Sequence, residues 1–273
     1  MALNAHVIFK ISAMKIATWN IAGIKARHET LYQWLQQNQP DIVCLQEIKS
    51  TDENFPCDAI ESLGYHIETH GQKSFNGVAI LSKKTPDEVI RRLPGNNNDE
   101  QTRYIEAVYS TNKGVIRVAS LYLPNGNPVK SEKYSYKMEW MERLYAHAKS
   151  LLAYEEPLVL AGDYNVIPTP LDAKNPQKWS NDALFLPQTR NAFQRIVHLG
   201  FYDAIRNVTD TPSFSFWDFQ AGAWHKNNGI RIDHLLLSPE AVDQLICAYS
   251  QTEVRGYPKS SDHAPVWIDL NFN

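Results

Sequence analysis

The segment LVLAGDYN, residues 158–165, runs through four apolar side chains to a glycine and then to two polar groups, Asp163 and Asn165. An apolar run of this length, bounded by glycine, reads as a strand buried on both faces, here residues 158–161. The same order recurs along the chain. KIATW (15–19) is followed by Asn20, and DIVCLQ (41–46) by Glu47. GIRIDHLLLS (229–238) carries Asp233 within it, and Asp262 and His263 stand before Pro265 and a last apolar stretch. One polar residue after a strand usually just opens a loop. In layered α/β proteins, however, strand ends are where distant positions meet in one cleft, so the repetition points to a shared site.

Working outward, further apolar runs at 65–69, 78–82, 103–110, 115–122, 213–217, 231–237, 245–250 and 265–270 read as strands. Residues 24–37 carry Ile24, Leu31, Trp34 and Leu35 on one helical face, which closes before Pro40. Residues 55–63 read as a helix stopping at Gly64. Residues 130–154 form a long helix with Trp140, Leu144, Ala148 and Leu151 near one face, and 191–199 a helix closed by Gly200. Residues 93–101 (LPGNNNDEQ) are a polar loop too short to divide domains. Several strands follow one another without a helix between them, which argues against a single parallel sheet. The pattern predicts two packed mixed sheets flanked by helices, an α/β protein with one domain over residues 14–273 and a tail over residues 1–13. Met14 opens the first strand and offers an alternative start.

Composition narrows the class without choosing within it. Apolar residues make up 43% of the 273 and charged residues 21%, as in ordinary globular proteins. No apolar run approaches the ~20 residues that span a bilayer. The three cysteines, Cys44, Cys57 and Cys247, are widely spaced and odd in number, which fits reduced thiols in a cytoplasmic protein and no zinc site. The net charge of −3 argues weakly against nucleic-acid binding, but Lys, Arg and His cluster locally, and carboxylates gathered around a divalent cation would be neutralised by it.

Those strand-end groups have a joint chemistry. Magnesium prefers oxygen ligands, takes one or two carboxylates and keeps waters for exchange, and Glu47 is the first choice to bind it. Asp163, with Asn165 two residues on, is suited to orient and deprotonate a water; in an extended stretch both side chains point the same way. His263 is suited to contact a phosphate oxygen, held in one tautomer by a carboxylate such as Asp233. The set is that of metal-assisted in-line displacement at phosphorus.

The motifs KIATWNIAGIKAR, DIVCLQEIK, GVAILSK, LYLPNG, LAGDYNV, FWDF, GIRIDHLLLS and SDHAPV, in this order from residue 14 onward, resemble the exonuclease III and abasic-endonuclease branch of the endonuclease/exonuclease/phosphatase superfamily. The resemblance implies a four-layered α/β/β/α sandwich with the active site at one edge. It implies Mg2+, with Mn2+ as a substitute, bound by Glu47 with Asn20 and Asp262 near it, and Asp163, Asn165 and His263 within the same metal-lined centre. Asp163 matches the group that activates the attacking water, and His263 paired with Asp233 the histidine on the scissile phosphate. Tyr122 matches a tyrosine bonded to that phosphate, and Asn125 an amide beside it. Phe216, Trp217, Ile230 and Ile232 fall where the family lines a pocket for an extruded abasic sugar. Two departures stand out: Ala22 replaces an Asp or Asn common in relatives, and the loop after Asn125 lacks an arginine, leaving Lys130 and Lys133 for phosphate contacts.

The expected partner is double-stranded DNA with an abasic site or a 3′ end, met by a monomer away from membranes. An enzyme acting on a phosphoinositide or sphingolipid is the first alternative, disfavoured by FWDF and GIRIDHLL. A DNA-binding module without activity is the second, disfavoured by the presence of Glu47, Asp163 and His263 together.

Overall fold

Alternation of side chains along a strand sends residues i and i+2 to one face, so strands apolar at every position must be covered on both sides. The structure, a computed structural model, describes residues 13–272. In chain order the elements are β1 (Met14–Asn20), α1 (Ile24–Asn38), β2 (Ile42–Gln46), α2 (Cys57–Glu61), β3 (His66–His70), β4 (Val78–Ser82), β5 (Glu88–Arg91), β6 (Tyr104–Thr111), β7 (Gly114–Tyr122), α3 (Glu132–Leu152), β8 (Leu158–Asp163), α4 (Pro187–Val197), β9 (Tyr202–Asp203), α5 (Ala204–Val208), β10 (Asp233–Leu237), α6 (Pro239–Val242), β11 (Leu245–Ser250) and β12 (Val266–Leu270). They form two six-stranded sheets, ordered β11-β12-β1-β2-β4-β3 and β5-β6-β7-β8-β10-β9.

The two sheets are built alike. Each has one parallel pair at its centre, β1 with β2 and β7 with β8, and antiparallel strands on either side. A parallel pair needs a crossover, and the crossovers are α1 and α3. Ile16, Cys44, Ile80, Val118, Val159, Leu235 and Ile268 fill the space between the sheets. Trp19, Leu45 and Trp267 face the other way and pack under Leu31 and Trp34 of α1. Leu121 and Leu160 pack under Trp140 and Leu144 of α3 and Phe193 of α4. This is the expected four-layered sandwich. Because the C-terminal ends of both parallel pairs lie at one edge, Asn20 and Glu47 from the first sheet meet Tyr122 and Asp163 from the second.

Three readings of the sequence need correction. β8 does not stop at Gly162 but continues through Asp163. A Cβ at position 162 would stand 2.0 Å from the Leu121 carbonyl oxygen of β7, so the glycine permits a close approach instead of ending the strand. Residues 213–217 are not a strand; Phe216 makes isolated bridges to Ile230 and His263. The helix expected over 55–63 shortens to α2 because Pro56 precedes it and residues 62–64 form a turn. The tail expected over residues 1–13 lies, apart from Ala13, outside the described residues. Among the described residues no helix is long and apolar enough to cross a membrane.

Candidate active site

At the end of β1, Asn20 is fully buried and its Nδ2 donates to Glu47 Oε1 and to Asp163 Oδ2, each at 2.9 Å. One amide thus ties a carboxylate of each sheet to the other. Its Oδ1 accepts from the Ala22 N–H (3.0 Å), so both ends of the Asn20 amide are engaged. Glu47 follows β2 in a left-handed turn, φ 49°, with Ala22 (50°) and Lys49 (51°) in the same region. Such φ values cost non-glycine residues on the order of 1–2 kcal/mol each. The turn is held by Gly23 N–H on the Glu47 carbonyl (2.8 Å) and Ile48 N–H on that of Gly77 (3.1 Å). Lys49 Nζ lies 2.6 Å from Glu47 Oε2. Burial alone would raise the Glu47 carboxyl, but Lys49 and the Asn20 amide outweigh it and hold the group below its ordinary range.

Asp163 ends β8 in register with Tyr122 on one side and Asp233 on the other. Its Oδ1 accepts from Asn165 N–H at 2.9 Å. Burial first, and the neighbouring Asp233 charge, push its carboxyl upward. His263 Nδ1 lies 2.8 Å from Asp233 Oδ2, which fixes the tautomer and turns Nε2 toward Asp163 Oδ2, 3.8 Å away. Burial favours neutral imidazole, but Asp233, Asp163 and Asp262 overcome it and raise the group. Tyr122, close to the Glu47 and Asp163 carboxylates, is held well above its ordinary value by burial and by those charges, and so keeps its hydroxyl proton.

The remaining expected residues divide. Asn125 Nδ2 donates to Asn165 Oδ1 (3.0 Å), and Asn165 Nδ2 to the Leu123 carbonyl (2.9 Å). Asn165 is not extended but left-handed, φ 48°, so the parallel aim expected of Asp163 and Asn165 fails; its backbone N–H, not its side chain, serves Asp163. Asp262 is half-buried, with its carbonyl on Trp217 N–H (2.9 Å). Phe216 packs its ring edge-on to His263, 4.9 Å between centroids. Ile230 and Ile232 share an apolar cluster with Phe216, Ile167 and Leu184. Trp217 turns away into a separate cluster with Phe214, Ala223 and Trp224, its Nε1 on Asn227 Oδ1 (3.1 Å). Lys133 is exposed and lines a cleft of about 560 Å³ together with Tyr122, Asn125 and Arg103. Lys130 is exposed ahead of α3 and does not line that cleft.

Several neighbours escaped the sequence reading. Buried Ser215 donates to the same Asp233 Oδ2 (2.6 Å) and accepts from Asp233 N–H (3.1 Å). Ser261 donates to the Asn20 carbonyl (2.6 Å) and accepts from His263 N–H (3.2 Å). Lys137 lies fully buried on α3. Its signal was available, since 137 falls three and seven residues before Trp140 and Leu144 on the apolar face.

The donor set suits a hard cation. Asp163, Asp233 and His263 offer ligand atoms within 4.8 Å of one another, and the buried Asp233 Oδ1 has no partner. Two carboxylates and one imidazole without thiolates form a set able to hold a divalent cation.

Comparison with known proteins agrees with this geometry. Residues 17–263 match the model of the Endonuclease/Exonuclease/phosphatase family. The chain is 35% identical over 269 residues to "Exodeoxyribonuclease III" of Haemophilus influenzae, covering 94% of this chain and 100% of that one. Among solved structures, an AP endonuclease from Archaeoglobus fulgidus superposes with a TM-score of 0.89 at 35% identity, covering 94% of this chain and 99% of that one. A 3′ phosphatase from Neisseria, bound to a product DNA hairpin, superposes with a TM-score of 0.91 at 34% identity and the same coverage.

Proposed function

The chain belongs to the endonuclease/exonuclease/phosphatase family, and on that footing we propose that it is a metal-dependent phosphodiesterase that cuts DNA in repair. The observation that carries this reading is the Asn20 bridge between Glu47 and Asp163, set beside the His263–Asp233 pair. The substrate is double-stranded DNA with an abasic site or a 3′ end, met by a monomeric enzyme in the cytoplasm.

Glu47, with Asp262, would hold magnesium, or manganese in its place, which would supply charge neutralisation at the phosphate oxygens. Everything else falls to the chain itself. Asp163 accepts the proton of a water whose oxygen forms a bond to phosphorus as the bond to the leaving oxygen breaks. Burial makes it a stronger base than an exposed carboxylate, and the Asn20 and Asn165 N–H groups fix its aim. His263, positively charged and clamped by Asp233, donates from Nε2 to a non-bridging oxygen, where negative charge accumulates in the transition state. Tyr122 donates its retained proton to the same group, and Asn125 lies on that side of the cleft. Phe216, Ile230 and Ile232 form an apolar wall beside His263 that admits a base-less sugar.

The test is cleavage of two labelled duplexes, one with an internal abasic analogue and one with only a recessed 3′ end, with and without magnesium. Strand scission at the lesion or shortening from the 3′ end, abolished by EDTA and restored by magnesium, is expected. Phosphate release from a phospholipid head group with both duplexes intact would overturn the reading.

A further inference from the structure

Lys137 takes no part in the chemistry above, yet it lies under the loops that carry it. It sits on the apolar face of α3 with no exposed surface. A lysine head group in such a place needs partners for its N–H bonds. Nζ donates to the Asn165 carbonyl at 2.6 Å and to the Asn125 carbonyl at 3.2 Å. These two peptides lie in the loops that follow β7 and β8, whose last residues are Tyr122 and Asp163. The connection runs further. The Asn165 N–H donates to Asp163 Oδ1 (2.9 Å), and the Asn125 and Asn165 side chains are joined at 3.0 Å. Gly126, φ 88°, packs on the lysine stem so closely that a Cβ there would stand 2.6 Å from Lys137 Cδ. Only an unbranched chain with a donor at its tip fits between that glycine and the two carbonyls.

We propose that Lys137 is a positioning residue: its Nζ braces the Asn125 and Asn165 peptides from below, so that the Asn125 amide and the Asp163 carboxylate face one phosphate together. The proposal rests on the phosphodiesterase reading. It differs from a purely structural role because the brace ends on the residue whose own N–H aims the proton acceptor, and small misplacements of reacting groups cost rate more than binding.

The test is a double-mutant cycle on the duplex with an abasic analogue in magnesium, using wild type, Lys137→Met, Asn125→Ala and the double variant, with melting temperatures measured in parallel. For Lys137→Met, kcat is expected to fall about 10- to 100-fold while KM changes by less than about threefold. In the Asn125→Ala background the same change is expected to cost much less, because one route of its action is already cut. A folded Lys137→Met with wild-type kcat, or losses that multiply in full, would overturn the proposal; a loss of melting temperature alone would make Lys137 an ordinary structural residue. Should Lys137→Met fail to fold, Lys137→Leu, which also removes the donor, carries the same cycle with the same deciding outcomes. If wild type leaves DNA intact, it is the phosphodiesterase reading that fails; if wild type cuts and the lysine variant cuts equally well, only the role of Lys137 does.

Discussion

Two buried charged clusters flank the start of β10, and they differ in their balance. In the first, Arg231 Nε donates to Asp172 Oδ1 (2.7 Å), its Nη1 to Asp203 (2.8 Å to Oδ2) and to His234 Nδ1 (2.9 Å), and Arg206 reaches the same Asp172 oxygen. Two guanidinium groups meet two carboxylates. In the second, Glu47, Asp163 and Asp233 pair at contact distance with Lys49 and His263, with Asp262 nearby, while Lys137 and Arg255 act from further off. Both clusters perturb the acidity of their members, so perturbation does not tell them apart. What does is the kind of atom left unpartnered: the first cluster leaves donors, Arg231 Nη2 and Arg206 Nε, while the second leaves an acceptor, Asp233 Oδ1, among carboxylates that outnumber their ion-pair partners, a setting that takes a cation.

The largest effect that could break this contrast lies in the balanced cluster. Asp172→Asn leaves Arg231 and Arg206 without the carboxylate they share, with Asp203 alone facing Arg231, and unfolding in urea is expected to show a loss of about 3–5 kcal/mol, with kcat of the folded enzyme little changed. In the unbalanced cluster the expectation reverses. Asp163→Asn and Glu47→Gln should each lower turnover at least ~10²-fold; melting temperature should hold or rise for Asp163→Asn, whose charge burial disfavours, and fall for Glu47→Gln, which loses its pairing with Lys49. Either variant with full activity would remove that residue from the mechanism.

Smaller effects sharpen the same comparison. Burial, with Arg231 beside it, holds His234 down to about 4, neutral with its Nε2 proton on the Val166 carbonyl (3.0 Å). A folded-state value below the ordinary 6.5 means that the unfolded chain takes up the proton first. Its stabilising contribution is therefore complete above about pH 6.5 and is lost as pH falls toward 4. The carboxyl of Asp172 resists its burial through Arg231 and Arg206, sits at about 2, and so gives way only at still lower pH. Melting temperatures across this range should show the decline, flattened between pH 6.5 and 4 in His234→Asn. Smallest is the surface term. Lys133→Gln should weaken DNA binding and reduce the slope of log affinity against log salt by about 1, while Lys130→Gln, away from the cleft, should change it less. An unchanged slope for Lys133→Gln would take that lysine out of the interface.

Much of this arrangement was legible before any coordinates. Apolar strands ending in polar residues located Asn20, Glu47, Asp163 and Asp233, because burial dictates the strand and its end dictates the edge. The roles of particular atoms were not legible. Asn20 bridges two carboxylates because the second sheet brings Asp163 against it, a contact over 143 positions that no local pattern encodes. An extended stretch would aim Asn165 with Asp163, yet its left-handed backbone turns the side chain to Asn125. Trp217 sits one residue from Phe216 but belongs to another cluster, because isolated bridges at Phe216 replace the continuous strand that the aromatic run implied. β5 and β9 are too short and too polar to announce themselves.

The pairing of β12 with β1 has a bearing on how such an enzyme comes into being. The first strand cannot be enclosed until Val266–Leu270 has been made, and His263 arrives with that same late segment. Ring closure across so long a separation is slow, and a chain cut short of His263 lacks the imidazole that pairs with Asp233. Enclosure of the first strand and assembly of the candidate site are therefore one late folding event.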